Sequence, residues 1–351
     1  MKVYTMTFHW ATNYGAVLQA YALQHYLESQ GYEAEIINYV PKKFKKTFGR
    51  CLLSNPKKYK ANFQEWKKEK AIKIFRKKYL HLTKIYSSHD ELLSAEWDNA
   101  TYICGSDQIW NSYFTLQGEG GVTLAYYLDF VPANARKISY AASFGMMSFD
   151  PTMAAVVTKA IKDFNKISVR ESSAIKMLQG IGVSATLVCD PVFLISSEDW
   201  ENMRASSRRK VNGVFKYMLH QPCEDNEQIS KYIVSAFGDM YVSGESCSVE
   251  EWLNAIFQAE MVVTNSFHAV AFSLIFHRPF IAIVQEGNGM NDRLTTLLSS
   301  VGLLDRIVDK FEEEKLSSLI TKSINWNDVE EKIKQMRMLG IEFLRLALEE
   351  I

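Results

Sequence analysis

Short apolar runs that close on a polar corner and lead into a helical stripe recur along this chain. The clearest instance is Met261–Phe280, MVVTNSFHAVAFSLIFHRPF. Met261–Thr264, with its two valines, reads as a buried strand. Asn265-Ser266-Phe267-His268 turn the chain polar, and Ala269–Phe276 is apolar again, now long enough for a helix. Proline disfavours helical geometry in the residue before it, so His277-Arg278-Pro279 ends that helix. Phe280–Val284 is then the next buried strand. The β–α–β unit leaves its polar corner at a strand's carboxyl end, where ligands bind in open α/β sheets.

The same pattern fills the rest. Val3–Thr7 is a predicted strand, Ala16–Ser29 a helix striped by Val17, Tyr21, Leu23 and Leu27, and Glu35–Val40 the next strand. Further strands fall at Thr101–Cys104, Lys137–Ala142, Ile167–Val169 and Thr186–Cys189, with helices over Thr152–Phe164 and from Ser172 to Gln179. Ser196–Lys210 is polar and charged and marks a junction. Beyond it come strands at Val214–Leu219 and Met240–Ser243, a helix over Asn226–Ala236, and a capping box, Ser248-Val249-Glu250-Glu251, opening a helix to Ala259. Gly287-Asn288-Gly289-Met290 reads as a mobile loop before a helix that begins at Arg293. Val329, Ile333, Met336, Gly340, Phe343 and Ala347 lie at helical spacing and close the chain with an amphipathic helix. At 351 residues, two domains are expected: an N-terminal Rossmann-like half over 1–200, a C-terminal one over 201–325, and the last helix over 326–351.

Charge changes this picture at one place. The net charge is zero, yet 41–84 holds sixteen Lys/Arg against Glu65 and Glu69. Aromatic residues such as Phe44, Phe63, Trp66 and Phe75 are interleaved with them. Such a stretch suits nucleic acid, an anionic membrane surface or a phosphorylated carrier, or else is a solvated helical insertion, as charge runs usually are. The five cysteines, Cys51, Cys104, Cys189, Cys223 and Cys247, have no CxxC spacing and read as reduced, mostly buried thiols without zinc. The chain opens directly on a strand pattern, with no charged region and apolar signal core, so no secretion is implied and a cytoplasmic protein is expected.

Candidate chemistry collects at the strand ends. Asn13 and Gly15 stand at the first strand-to-helix turn, without the GxGxxG of a dinucleotide site. Gly105-Ser106-Asp107-Gln108-Ile109-Trp110-Asn111 sets hydrogen-bonding side chains beside an indole, a mixture that suits a sugar and equally a capped helix start. Arg170, before Glu171 and a helix start, is placed for a carboxylate or phosphate, or for an ion pair with Glu171 or another carboxylate. At the central corner, His268 can hold a proton near neutral pH and free N–H groups suit an anion. The alternative there is a capping Asn265/Ser266 with a satisfied core histidine.

Assembled in order, TNYGAVLQAYAL (Thr12–Leu23), GSDQIWN (Gly105–Asn111), YAASFG (Tyr140–Gly145), SVRE (Ser168–Glu171), DPVFL (Asp190–Leu194) and TNSFHAVAFSLIFHRPF (Thr264–Phe280) resemble the polysaccharide pyruvyl transferase family. The resemblance implies an α/β fold of two Rossmann-like domains facing across a cleft, similar to GT-B glycosyltransferases. It implies transfer of the pyruvyl group of phosphoenolpyruvate to two hydroxyls of a sugar, in a bacterial surface polysaccharide or its lipid-linked precursor. Phosphoenolpyruvate is then a co-substrate; no cofactor, metal or nucleic acid is implied. His268, Arg170 and Asp107 are the implied catalytic residues. Arg170, Asn265, Ser266, His268 and Arg293 would hold the donor. Asn13, Gly105, Ser106, Asp107, Gln108, Trp110 and Asn111 would hold the acceptor. Other branches carry arginine where Ser266 stands, and many carry aspartate where Asn265 stands, so a cation is missing from the implied anion site. Arg278, on the far side of the helix, does not replace it. The alternatives are a GT-B-type glycosyltransferase using a nucleotide sugar and a non-catalytic glycan- or carrier-binding protein docked on membrane through 41–84.

Overall fold

A computed structural model describes residues 1–44, 59–113, 121–149, 151, 154–204, 212–219, 224–238, 241–243, 247–285 and 291–349. In chain order these form β1 (Lys2–Met6), α1 (Tyr14–Ser29), β2 (Glu33–Ile36), α2 (Tyr59–Tyr79), α3 (His89–Leu93), β3 (Thr101–Cys104), β4 (Arg136–Ala142), α4 (Ala154–Lys162), β5 (Lys166–Val169), α5 (Ser172–Gly180) and β6 (Thr186–Leu187). Then follow α6 (Ser197–Arg204), β7 (Val214–Tyr217), α7 (Glu224–Ala236), β8 (Tyr241–Ser243), α8 (Val249–Gln258), β9 (Met261–Thr264), α9 (Phe267–Ile275), β10 (Phe280–Ile283), α10 (Asp292–Ser300), β11 (Ile307–Val308), α11 (Glu313–Thr321) and α12 (Trp326–Glu349). The predicted glycine loop at 287–290 lies outside the described residues.

The chain divides into two compact units. The first holds a six-stranded parallel sheet, ordered β2-β1-β3-β4-β5-β6. Its inner strands are largely buried, all four residues of β3 and the last five of β4, while β2 and β6 at the edges are partly or wholly exposed. The second unit holds a five-stranded parallel sheet, β8-β7-β9-β10-β11, with β9 and β10 wholly buried. Strand order reverses beside β1 in one sheet and beside β7 in the other. A doubly wound sheet binds ligands at such a switch point, outside the carboxyl ends of the strands. Each unit has its own core, one gathered around Tyr102, Trp110 and Tyr127, the other around Val214, Val263 and Ile281.

The units differ from the expected boundaries. The described part of Cys51–Lys73 groups with Ser196–Lys334, and Gln335–Ile351 groups with the first unit. Side chains show why. Lys68 of α2 donates to the Tyr217 hydroxyl at 3.1 Å. On α12, Arg337 donates to the Phe193 carbonyl at 2.6 Å, and a Cβ on Gly340 would lie 2.5 Å from the Tyr140 hydroxyl, so the helix packs too closely there for a larger residue. The predicted capping box is present, with Ser248 and Glu251 each bonding the other's main-chain N–H. Cys104, Cys189 and Cys247 are buried; Cys51 and Cys223 lie outside the described residues.

Candidate functional site

In the first unit, the tips of β1, β3, β4 and β5 are tied into one buried polar network. The Gln19 side chain links two tips, accepting from the Ser106 N–H at 3.1 Å and donating to the Thr7 hydroxyl at 2.8 Å. The Thr7 hydroxyl donates in turn to the Ser106 carbonyl at 3.1 Å. Asn13 caps α1, its side-chain oxygen accepting from the Gly15 N–H at 2.9 Å. Gly105 has φ +120°, and a Cβ there would stand 2.1 Å from the Tyr140 carbonyl oxygen, so only glycine fits.

Arg170 is the centre of the network. Its side chain is 1% exposed. It donates to Asp190 at 2.5 Å, to Asp107 at 3.1 Å and to the Ser106 hydroxyl at 3.3 Å, while its Nε stands 4.0 Å from Glu171. The Ser106 hydroxyl has two acceptors in reach, the Ala141 carbonyl and Asp190. Glu171 accepts from the Phe144 N–H at 2.8 Å. Burial works against the guanidinium charge, but Asp190, Asp107 and Glu171 outweigh it, and the Arg170 pKa stands above its usual value. Three carboxylates thus face this one guanidinium, which is the arrangement expected of an ion pair within the fold.

Asp107 is the member of this cluster that reaches the rim. Its side chain is 14% exposed, against 0% for Asp190 and 1% for Glu171. Its backbone has φ 69°, a conformation that aspartate tolerates better than most side chains. One carboxylate oxygen, Oδ1, is fixed by Arg170 and by the Gln108 N–H at 2.9 Å. Gln108 and Asn111 lie beside it, half-buried, with the Asn111 amide donating to Gln108 at 2.9 Å.

Trp110 corrects the sequence reading. It is 1% exposed and stacks at 4° on Tyr127, with Phe144 and Phe164 also against it. It is a core residue and offers a sugar no face; Gly105 and Ser106 are buried too. Two contributors escaped the sequence reading, Gln19 and the role of Asp190; Glu171 is the ion-pair partner it offered for Arg170, 4.0 Å from Nε. Asp190 carried a visible signal, a carboxylate before proline at the end of an apolar run.

In the second unit the switch point is closed by Asn265. Its side-chain oxygen accepts from the Leu219 N–H at 2.6 Å and its amide donates to the Leu219 carbonyl at 2.8 Å. Both ends of the amide therefore bind β7's continuation, and the residue joins two strand tips. Thr264 donates to the Tyr217 carbonyl and accepts from the Ser266 N–H. Ser266 caps α9, accepting from the Ala269 N–H at 3.4 Å. His268 occupies the helix's first turn, 6% exposed, its ring edge-on to Phe267 at 5.2 Å. Arg293 lies half-buried in the first turn of α10. Arg278, past the other end of α9, stands 4.8 Å from the Phe257 ring.

The strand tips from Asn13 to His268 fall within one sequence signature. The polysaccharide pyruvyl transferase model matches residues 13–287. The chain belongs to the polysaccharide pyruvyl transferase family. No curated protein matches this family member in sequence. Among solved structures it is similar to the UDP-N-acetylglucosamine 2-epimerase from Rickettsia bellii, at 10% identity and a TM-score of 0.58 over 100% of this chain and 96% of that one. The UDP-GlcNAc 2-epimerase from Methanocaldococcus jannaschii is similar at 12% identity and a TM-score of 0.53, over 97% and 100%. At such identities the likeness is one of fold: α/β, two Rossmann-like units, GT-B-like.

Proposed function

We propose that this family member moves the pyruvyl group of phosphoenolpyruvate onto two hydroxyls of one sugar of a surface polysaccharide or its lipid-linked precursor, giving a pyruvate ketal. The observation that carries the reading is the family match, which spans the polar strand tips of both units. In the reaction, a proton adds to the methylene carbon, an oxocarbenium-like centre forms at the carbon bearing oxygen, both sugar oxygens bond to it, and the ester C–O bond breaks. Of the two hydroxyl protons released, one balances the new methyl group and the other leaves with phosphate.

Charge divides the work. The first unit's cluster of carboxylates suits removal of hydroxyl protons, with Asp107 as base and Arg170, locked by Asp190, as its positioning residue. Asn13, Gln108 and Asn111 would orient the acceptor. The donor's carboxylate and phosphate belong at the start of α9, where main-chain N–H groups suit an anion, with His268 as proton donor and Arg293 as cation.

Incubation with phosphoenolpyruvate and a bacterial glycan pool should release inorganic phosphate and give a product heavier by one pyruvate less one water. Phosphate release should vanish in His268→Ala. Turnover of a nucleotide sugar, with none of phosphoenolpyruvate, would replace this reading with a glycosyltransferase.

A further inference from the structure

Helix α2 turns outward a face that the chemistry above leaves unused. At about 100° per residue, Lys67, Lys70, Lys73, Lys77 and Lys78 fall within an arc of roughly 140°. All five are exposed. Ile74 lies in the middle of that arc and is 61% exposed, although isoleucine ordinarily goes inside. Phe63 and Trp66 share the arc, half-buried, with Lys67 4.8 Å from the Phe63 ring and Lys70 5.6 Å from the Trp66 ring. Glu65 and Glu69 fall outside it, as do Ile72 and Phe75, the buried side. The face is thus cationic and apolar at once, with no acid in it.

We propose that this face docks on an anionic lipid bilayer. Lysine ammoniums meet acidic headgroups, while Ile74 and the aromatic rings reach the acyl boundary beneath. Nucleic acid would match the charge but would leave Ile74 facing phosphates. A lysine face also lacks the planar fork by which arginine reads guanine. Among the described residues no helix is long and apolar enough to cross a membrane, so the contact is a surface one. It would bring the protein to acceptors carried on lipid, but binding needs no turnover, so its test is separate from that of the reaction.

The full chain is spun with phosphatidylcholine vesicles with and without phosphatidylglycerol. It should pellet with the anionic vesicles, stay in solution with the neutral ones, and be released by high salt. Lys70→Glu/Lys73→Glu should weaken partition by on the order of tenfold or more, since each lysine at such a surface is worth roughly fivefold. Ile74→Ser, which keeps every charge, should weaken it as well. Lys159→Glu/Lys176→Glu changes exposed lysines on α4 and α5 by the same net charge and should bind as the parent does. Equal partition of the two double variants, or equal pelleting with neutral vesicles, overturns the proposal. Lysine-dependent binding of an oligonucleotide without vesicle binding overturns it too.

Discussion

Arg170, at the tip of β5, and Asp107, just beyond the tip of β3, have separate jobs in the proposed reaction. Arg170 is sealed among carboxylates, and removing a buried ion-pair partner typically costs about 3–5 kcal/mol, because the charges left behind have no compensation. Arg170→Met should therefore lower the stability of the first unit by that order in urea unfolding. Asp107→Asn keeps the shape and an oxygen for Arg170, so unfolding should change little. If Asp107 is the base, turnover of phosphoenolpyruvate should fall by about 10²–10⁴ in that variant. A stable Arg170→Met, or a fully active Asp107→Asn, would invert the assignment. The sequence displayed Arg170 at a strand end but not its partner, because Asp190 is 20 residues away and only the adjacency of β5 and β6 brings them together.

At the scale of elements, short apolar runs ending in polar residues gave the strands away, since a parallel strand buried on both faces has no room for alternation. They could not say which way a side chain at the tip points. Trp110 shows the limit: an indole among Ser, Asp, Gln and Asn reads the same whether it faces a ligand or Tyr127, and the structure turns it inward. The last helix was legible as amphipathic, but its packing near Tyr140 and Cys189 follows from tertiary contacts alone. Two glycines test how rigidly the tips are built. Gly105→Ala would force a Cβ to 2.1 Å from main chain and should cost on the order of 3 kcal/mol or more in stability. At Gly145, φ +63°, the nearest atom to a Cβ is instead the end of the Gln108 side chain at 2.2 Å. Gly145→Ala should fold, displace Gln108 and raise the acceptor KM several-fold with a smaller change in kcat. An unchanged acceptor KM would remove Gln108 from the acceptor contacts.

For the molecule as a whole, acid tolerance is set in part by one imidazole. His9 follows β1 at the switch point of the first sheet and is 1% exposed. Its Nδ1 stands 3.2 Å from the Thr7 carbonyl and its Nε2 3.1 Å from the Asn38 side-chain oxygen. Burial, more than the contacts with Asn38 and Thr7 can offset and with Arg76 adding repulsion, lowers its pKa from 6.5 to about 4. The unfolded chain therefore takes up a proton near pH 6.5 that the folded chain refuses until about pH 4. Stability from this group is fully present above pH 6.5 and drains away as pH falls toward 4, by about 3 kcal/mol in all. Urea midpoints taken from pH 7 down to pH 4.5 should fall steeply for the parent chain. His9→Gln has no proton to gain, so its midpoint should fall less over the same interval even if it is lower at pH 7. Parallel pH slopes for the two proteins would show that this imidazole is not what makes the folded state sensitive to acid.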